Sequence, residues 1–322
     1  MTQIIRPAAV AYILAIMMMS LCRAYWQFML CQGVLLGLSM GFMMYTALAA
    51  VSQFFDKKRA AAMGIAVSGS SLGGVIIPIA LSKMLSGSSL GYGWSVRILA
   101  FIMLPMAAFA TATITTRLPP RTTTFLIPSA FRQVKFLCLI VAVFCMFVGL
   151  FTPLFYLPTY AVSRGIETTL ASYMLAILNA ASTFGRIIPG ILADKFGRLN
   201  MLSIAGVMNG IVVLCFDQPK STAGLVVYAV VFGFTSGMII SGASAAFTLC
   251  PKDPRDMGTY MGMGLTTAAL AVLIGPPLNG LLIDRYGGFF EVSMLSGSIC
   301  LVGGFVTLAS KRATPGGIFG RV

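Results

Sequence analysis

Arg186 is the residue of this chain best placed to do chemistry. It falls inside an apolar run, about two turns before a polar loop, in Leu178-Asn179-Ala180-Ala181-Ser182-Thr183-Phe184-Gly185-Arg186-Ile187-Ile188-Pro189-Gly190. Asn179, Ser182 and Arg186 recur at three and four residues, which draws one polar stripe along a helix. A guanidinium grips a carboxylate through two parallel N–H bonds, so the stripe suits an organic anion. An Arg in a membrane helix costs about 2.5–3.5 kcal/mol on insertion scales, so it normally faces a cavity or a partner. The alternatives are that Arg186 snorkels to the headgroups or pairs with a loop acid such as Asp194.

The rest of the reactive inventory is thin. The chain has no His, which removes the commonest general base and metal ligand. Its seven Cys include no CxxC pair and read as small buried hydrophobes, without zinc spacing or a disulfide framework. No nucleophile–base pair or metal cluster stands out. An enzyme is a weak third choice, and no metal or cofactor is called for. None of the eight acids falls clearly at mid-membrane: Asp56, Asp194, Asp253, Asp256 and Asp284 belong to loops, and Glu167, Asp217 and Glu291 lie near helix ends.

The elements that must position Arg186 follow from composition. Of 322 residues 58% are hydrophobic and 9% charged, and the mean hydropathy is +0.94. A soluble domain typically carries about a quarter charged residues, so the apolar excess points to lipid. The net charge of +14 does not point to nucleic acid, because the basic residues sit singly between apolar runs. A crossing takes about 20 apolar residues. Runs of that order fall at 7–22, 26–55, 60–84, 95–116, 136–160, 168–192, 199–216, 222–250, 257–283 and 289–310. The expected fold class is an all-α membrane protein of about ten transmembrane helices.

Charge orients these helices. With the N-terminus in the cytoplasm, 15 Lys and Arg fall inside and 6 outside, so both termini are expected to be cytoplasmic. The basic, Pro-containing stretch 117–135 is the natural seam. The expected organisation is an N-terminal bundle over 1–116, a cytoplasmic central loop over 117–135, a six-helix bundle over 136–310 and a cytoplasmic tail over 311–322.

Two internal repeats sharpen this. Met63-Gly64 with Pro78 recurs as Met261-Gly262 with Pro276, offset by 198 residues. Gly190-Ile191-Leu192-Ala193-Asp194-Lys195-Phe196-Gly197-Arg198 recurs as Gly280-Leu281-Leu282-Ile283-Asp284-Arg285-Tyr286-Gly287, offset by 90. An ordinary charged hairpin accounts for the second copy but poorly for the first. Carried back by 198 residues, the first copy falls before Met1. The four-plus-six arrangement therefore reads as a duplicated six-plus-six protein without its first two helices.

At these residues the chain resembles the major facilitator superfamily. Gly190 to Arg198 is similar to its characteristic loop, as found between the eighth and ninth helices. Within it, the chain resembles the fungal branch of the monocarboxylate porter family. The carrying segment runs from Phe54-Phe55-Asp56 through the basic triplet Lys57-Lys58-Arg59 into Gly64, Gly69 and Gly73, departing from the family only at Ala61 and Ser68. The family's other signature, in its first helix, has no counterpart here. The resemblance implies a two-bundle secondary transporter working by alternating access, a substrate-related Arg at position 186 and a plasma-membrane location, with a vacuolar or other organelle membrane as the alternative. A monocarboxylate or other small organic anion is the implied substrate, with export of a secondary metabolite, uptake of a vitamin, or a truncated non-transporting protein as alternatives. Some members carry an Asp four residues before the Arg, where this chain has Ser182. That substitution leaves a proton as an open partner. Gly190, Asp194, Gly197 and Arg198 form the expected conformational-switch loop. The glycines at 64, 69 and 73, with Pro78 beyond them, shape one helix for close, sliding contact. Gly33, Gly37 and Gly41, and Gly233 and Gly237, are expected to pack two further helices in the same way.

Overall fold

The computed structural model describes residues 2–87, 89–115, 117 and 126–311. Arg121, Arg312 and Arg321, most of the tail over 311–322 and the middle of the 117–135 loop lie outside the described residues. Among the described residues ten helical rods follow one another: α1 (Thr2–Met19), α2 (Tyr25–Phe54), α3 (Arg59–Gly87), α4 (Gly91–Thr113) and α5 (Val134–Ser163). They continue as α6 (Thr168–Phe196), α7 (Arg198–Leu214), α8 (Thr222–Phe247), α9 (Met257–Tyr286) and α10 (Phe290–Ser310). No strand occurs among the described residues. Eight rods are long and apolar enough to cross a membrane, and α1 and α7 are shorter apolar helices. Side chains such as Phe109 and Leu273, each 72% exposed, give the rods an apolar outer surface that only lipid would solvate.

Helix α2 is not uniform. Met29–Leu36 is π-helical, inserted between α-helical ends. Gly33 lies in that segment, with its i→i+5 bonds, whereas Gly37 and Gly41 lie in the regular helix after it. A methyl group added at Gly33, Gly37 or Gly41 meets no atom within 4 Å among the described residues. The same is true of Gly69 in α3. Elsewhere the small residues do bring helices together. A Cβ on Gly233 would lie 3.0 Å from the Ala181 Cβ, and one on Gly237 2.6 Å from the Ser182 carbonyl oxygen, so α8 presses its backbone onto α6.

The described residues divide into two compact units. The first comprises 1–54 and 76–122, that is α1, α2, the second half of α3 and α4. Within it α1 packs on α4 and on α2. The second comprises 55–75 and 123–322, so the first half of α3 joins α5 to α10. In that unit α6 packs on α8, α10 on α5 and α7, and α9 on α5. An aromatic cluster of Tyr160, Phe216, Tyr228, Phe232 and Phe289 fills one end of it.

Two hydrogen-bonded polar knots tie the second unit together inside its apolar packing. Asn279 donates to Thr152 (2.7 Å), Thr152 to Ser296 (2.7 Å), and Ser296 back to Asn279 Oδ1 (3.2 Å), closing a ring across α9, α5 and α10. Thr235 donates to Asn209 Oδ1 (3.0 Å), and Asn209 Nδ2 approaches Cys300 Sγ (3.5 Å), linking α8, α7 and α10. Asn209, Asn279, Thr152 and Ser296 are all essentially without exposure. Where no water reaches, each such group needs a protein partner, and these knots supply it.

Candidate functional site

Of the predicted site residues, Asn179, Arg186, Gly190, Asp194 and Gly64 meet on the face that α6 shares with the first half of α3. The contacts run antiparallel. Asn179 lies against Gly74, Arg186 reaches Val67 and Ser70, Gly190 meets Gly64 and Ala60, and Asp194 reaches Ala60 and Ala61. Arg186, Gly190 and Asp194 are four residues apart, one turn each, so they line up on one side of α6.

Arg186 is 6% exposed. Its Nη1 donates to the Val67 carbonyl oxygen (2.8 Å) and to the Ser70 hydroxyl. Its Nε is buried and has no partner among the described residues. The guanidinium therefore neither snorkels to the surface nor pairs with Asp194. It leans on neutral acceptors of α3 and leaves its buried Nε–H unspent, although an unmet donor on a charged group is costly. An incoming anion is the kind of partner that would satisfy it.

Gly64 and Gly190 let the two backbones touch. A Cβ on Gly64 would collide with the Arg186 carbonyl oxygen, and one on Gly190 would lie 2.9 Å from the Ala60 carbonyl oxygen. Pro78, one turn beyond Gly74, removes the N–H that would have bonded the Gly74 carbonyl. Asn179 sits over that weak point, its Cγ 2.9 Å from where a Gly74 Cβ would be, while Nδ2 donates to Leu175 O (2.9 Å).

At the other end Asp194 acts as a cap in trans. Its carboxylate accepts from the Ala60 N–H (3.0 Å) and the Ala61 N–H (2.9 Å), two of the first-turn donors of α3 that have no intrahelical acceptor. A negative charge there also meets the positive end of the helix dipole. Arg198 holds the cap in place. Its Nη2 lies 3.5 Å from Asp194 Oδ1 and from the Asp56 carbonyl, and its Nη1 donates to Thr248 (3.2 Å). Gly197 has φ +99°, a left-handed-side value that lets α6 stop and α7 start at once. A cleft of about 410 Å³ opens here, lined by Asp56, Lys57, Asp194, Lys195, Arg198 and Leu249 among others. Lys57 and Lys58 are exposed, and Arg59 closes the turn locally by donating to Phe55 O (2.8 Å) and Asp56 (3.1 Å).

The repeat copy behaves differently. Asp284 is exposed, so the same sequence pattern makes only a helix end with Gly287 at φ +68°. Ser182 also departs from the expected stripe. It is buried toward α8, its Oγ 3.0 Å from where a Gly237 Cβ would lie. Sequence reasoning missed Val67, Ser70 and Gly74 as partners. Of these, only the Ser68-Gly69-Ser70-Ser71 cluster in an apolar run was a usable signal.

Apolar helical rods around a buried, incompletely paired guanidinium, with charge collected at the helix ends, are the features of a multi-pass membrane protein. The chain belongs to the major facilitator superfamily, whose family model matches residues 4–216 and 180–318. It is 47% identical over 309 residues to an aspyridones efflux protein of Emericella nidulans, covering 96% of this chain and 63% of that protein. It is 40% identical to an agnestins efflux protein of Paecilomyces divaricatus, covering 94% of this chain and 70% of that protein. The chain thus spans slightly less than two thirds of the first relative's length. Among solved structures, the E. coli fucose:proton symporter matches with a TM-score of 0.76 at 15% identity, over 96% of this chain and 83% of that one. The human organic anion transporter TETRAN matches with a TM-score of 0.75 at 15% identity, over 95% and 76%. At that identity the likeness is one of fold.

Proposed function

We propose that this chain exports a small organic metabolite bearing an acidic group, by alternating access, with Arg186 as the anion-binding residue. The observation that carries the anion is the buried Arg186 guanidinium, whose Nε has no partner among the described residues. The efflux proteins among the relatives favour export. Asn179 borders the site, and Ser182 shapes the α6–α8 contact beside it. The loop of Gly190, Asp194, Gly197 and Arg198 acts as the conformational switch, because its carboxylate holds α3 by two hydrogen bonds that an opening motion must break. The seam lies at 117–135, with four helices before it and six after. Both termini face the cytoplasm of a plasma-membrane protein. Proton coupling is not part of the reading, since Ser182 stands where a carboxylate would serve it.

The test is flux in proteoliposomes carrying the full chain, with labelled monocarboxylates and with larger aromatic acids and their neutral esters. Saturable flux of the acids over the esters, lost in Arg186→Ala and reduced in Arg186→Lys, is expected. Undiminished flux in Arg186→Ala would reject the role of Arg186. Flux of short monocarboxylates alone would favour a monocarboxylate porter, the second reading, for which the resemblance at Phe54 to Gly73 speaks. No flux of any acid would favour a non-transporting protein.

A further inference from the structure

Within the first unit, Cys22 lies in the turn after α1, and Cys31 lies in the π-helical segment of α2. Their Sγ atoms are 3.7 Å apart. The turn is held over α2 by Gln27, whose Oε1 accepts from the Arg23 N–H (2.8 Å) and the Ala24 N–H (3.1 Å). Cys31 is 7% exposed and Cys22 is half-buried, so one thiol is open to a reagent and the other is sheltered behind it. No cluster of three or more metal-ligating side chains occurs among the described residues, so a metal does not explain the pairing.

We propose that Cys22 and Cys31 are a redox pair that oxidises to a disulfide, stapling the α1–α2 turn to the π-helical segment. The bond requires the sulfurs to close from 3.7 Å to about 2.05 Å, a movement within reach of small side-chain rotations. A small organic disulfide serves as the oxidant. The Cys22 thiolate attacks one of its sulfurs and expels one thiolate, leaving a mixed disulfide on Cys22. The Cys31 thiolate then attacks the Cys22 sulfur and expels the second. Two protons leave the cysteines, and the oxidant takes up two electrons and two protons as two thiols. With both termini cytoplasmic, as proposed above, the turn lies on the outer side, where disulfides persist.

The test is thiol mapping of the purified full chain, first reduced, then incubated with oxidised glutathione, alkylated and digested without reduction. A cross-linked 22–31 peptide, lighter by two hydrogens, is expected, with both thiols lost from alkylation and Cys138, Cys145, Cys215, Cys250 and Cys300 still alkylated. In Cys31→Ser, Cys22 should stop as the glutathione adduct, which separates pairing from mere exposure. The proposal is overturned if both cysteines are alkylated after oxidation. It is also overturned if wild type accumulates the Cys22 adduct, or if the cross-link joins two chains. Closure with glutathione but free thiols in cell membranes would support the pair and overturn the outer placement of the turn instead.

Discussion

Replacing Asp194 with Ala should release the first turn of α3. The wild-type carboxylate accepts from the N–H groups of Ala60 and Ala61 at 3.0 and 2.9 Å, and its side chain is only 10% exposed. Those amides belong to the first turn, so no carbonyl of α3 can replace Asp194. A hydrogen bond to a charged group contributes about 1.5–3 kcal/mol, and losing a helix cap costs about 0.5–2 kcal/mol. The two bonds overlap with the capping contribution and are not additive, so the loss is taken as about 2–4 kcal/mol. At 1.4 kcal/mol per tenfold, the two amides should exchange hydrogen about 30-fold to about 700-fold faster. Asp194→Asn keeps one acceptor and loses the charge, so it should fall between. Hydrogen exchange on peptides that begin upstream of Phe54 reads Ala60 and Ala61 directly, with Glu167→Ala as an exposed control. Unchanged protection of these amides in folded Asp194→Ala would refute the cap.

Gly64→Ala should cost about 1–3 kcal/mol, because its Cβ meets the Arg186 carbonyl. Its repeat-related counterpart Gly262→Ala, where a Cβ meets nothing within 4 Å, should stay within about 0.5 kcal/mol; thermal unfolding in detergent compares the two. Asn279→Ala opens the ring with Thr152 and Ser296 and should lower stability by about 0.6–2 kcal/mol in the same assay, with Thr152→Val non-additive. Asp217→Ala removes a pair with Arg164 at 2.9 Å whose side chains are 23% and 33% exposed. It should cost about 0–1 kcal/mol, and added salt should shrink the difference.

The apolar runs were legible because a membrane helix must satisfy its backbone internally and therefore writes its length into composition. Ends were less so. The run expected at 95–116 is a helix from Gly91 to Thr113, begun by a glycine at φ +66° that an apolar pattern does not register. Arg186 was visible as a misplaced charge, but its acceptor is the carbonyl of Val67, 119 residues away, and a carbonyl is the same at every position. Spacing alone grouped Ser182 with Asn179 and Arg186. It could not show that α8 covers that edge of α6. The α2 glycines read as a packing face, yet a Cβ at Gly33, Gly37 or Gly41 meets no described atom within 4 Å, although Gly37 and Gly41 lie one turn apart in regular α-helix. The π-helical segment hid the proximity of Cys22 and Cys31, nine residues apart in sequence.

The α3–α6 contacts imply a coupling. In each contact the two residue numbers sum to within a few units of 254, as antiparallel helices in fixed register require. Arg186 donates to neutral acceptors of α3, whereas a substrate carboxylate offers charge-assisted, two-pronged acceptance. If the anion takes Arg186, α3 loses its hold there and stays attached through the Gly64–Gly190 contact and the Asp194 cap. A ligand shifts such an equilibrium only by its differential affinity for the two states. Weakening the cap should therefore raise the share of the loosened state and tighten apparent anion binding, up to the limit at which that state already dominates. On the proposed function, Asp194→Ala in proteoliposomes should then bind a transported acid more tightly while turning over more slowly, because the proposed switch would no longer reset. Binding weakened or unchanged in that variant, with Arg186 intact, would show that the cap and the guanidinium act independently.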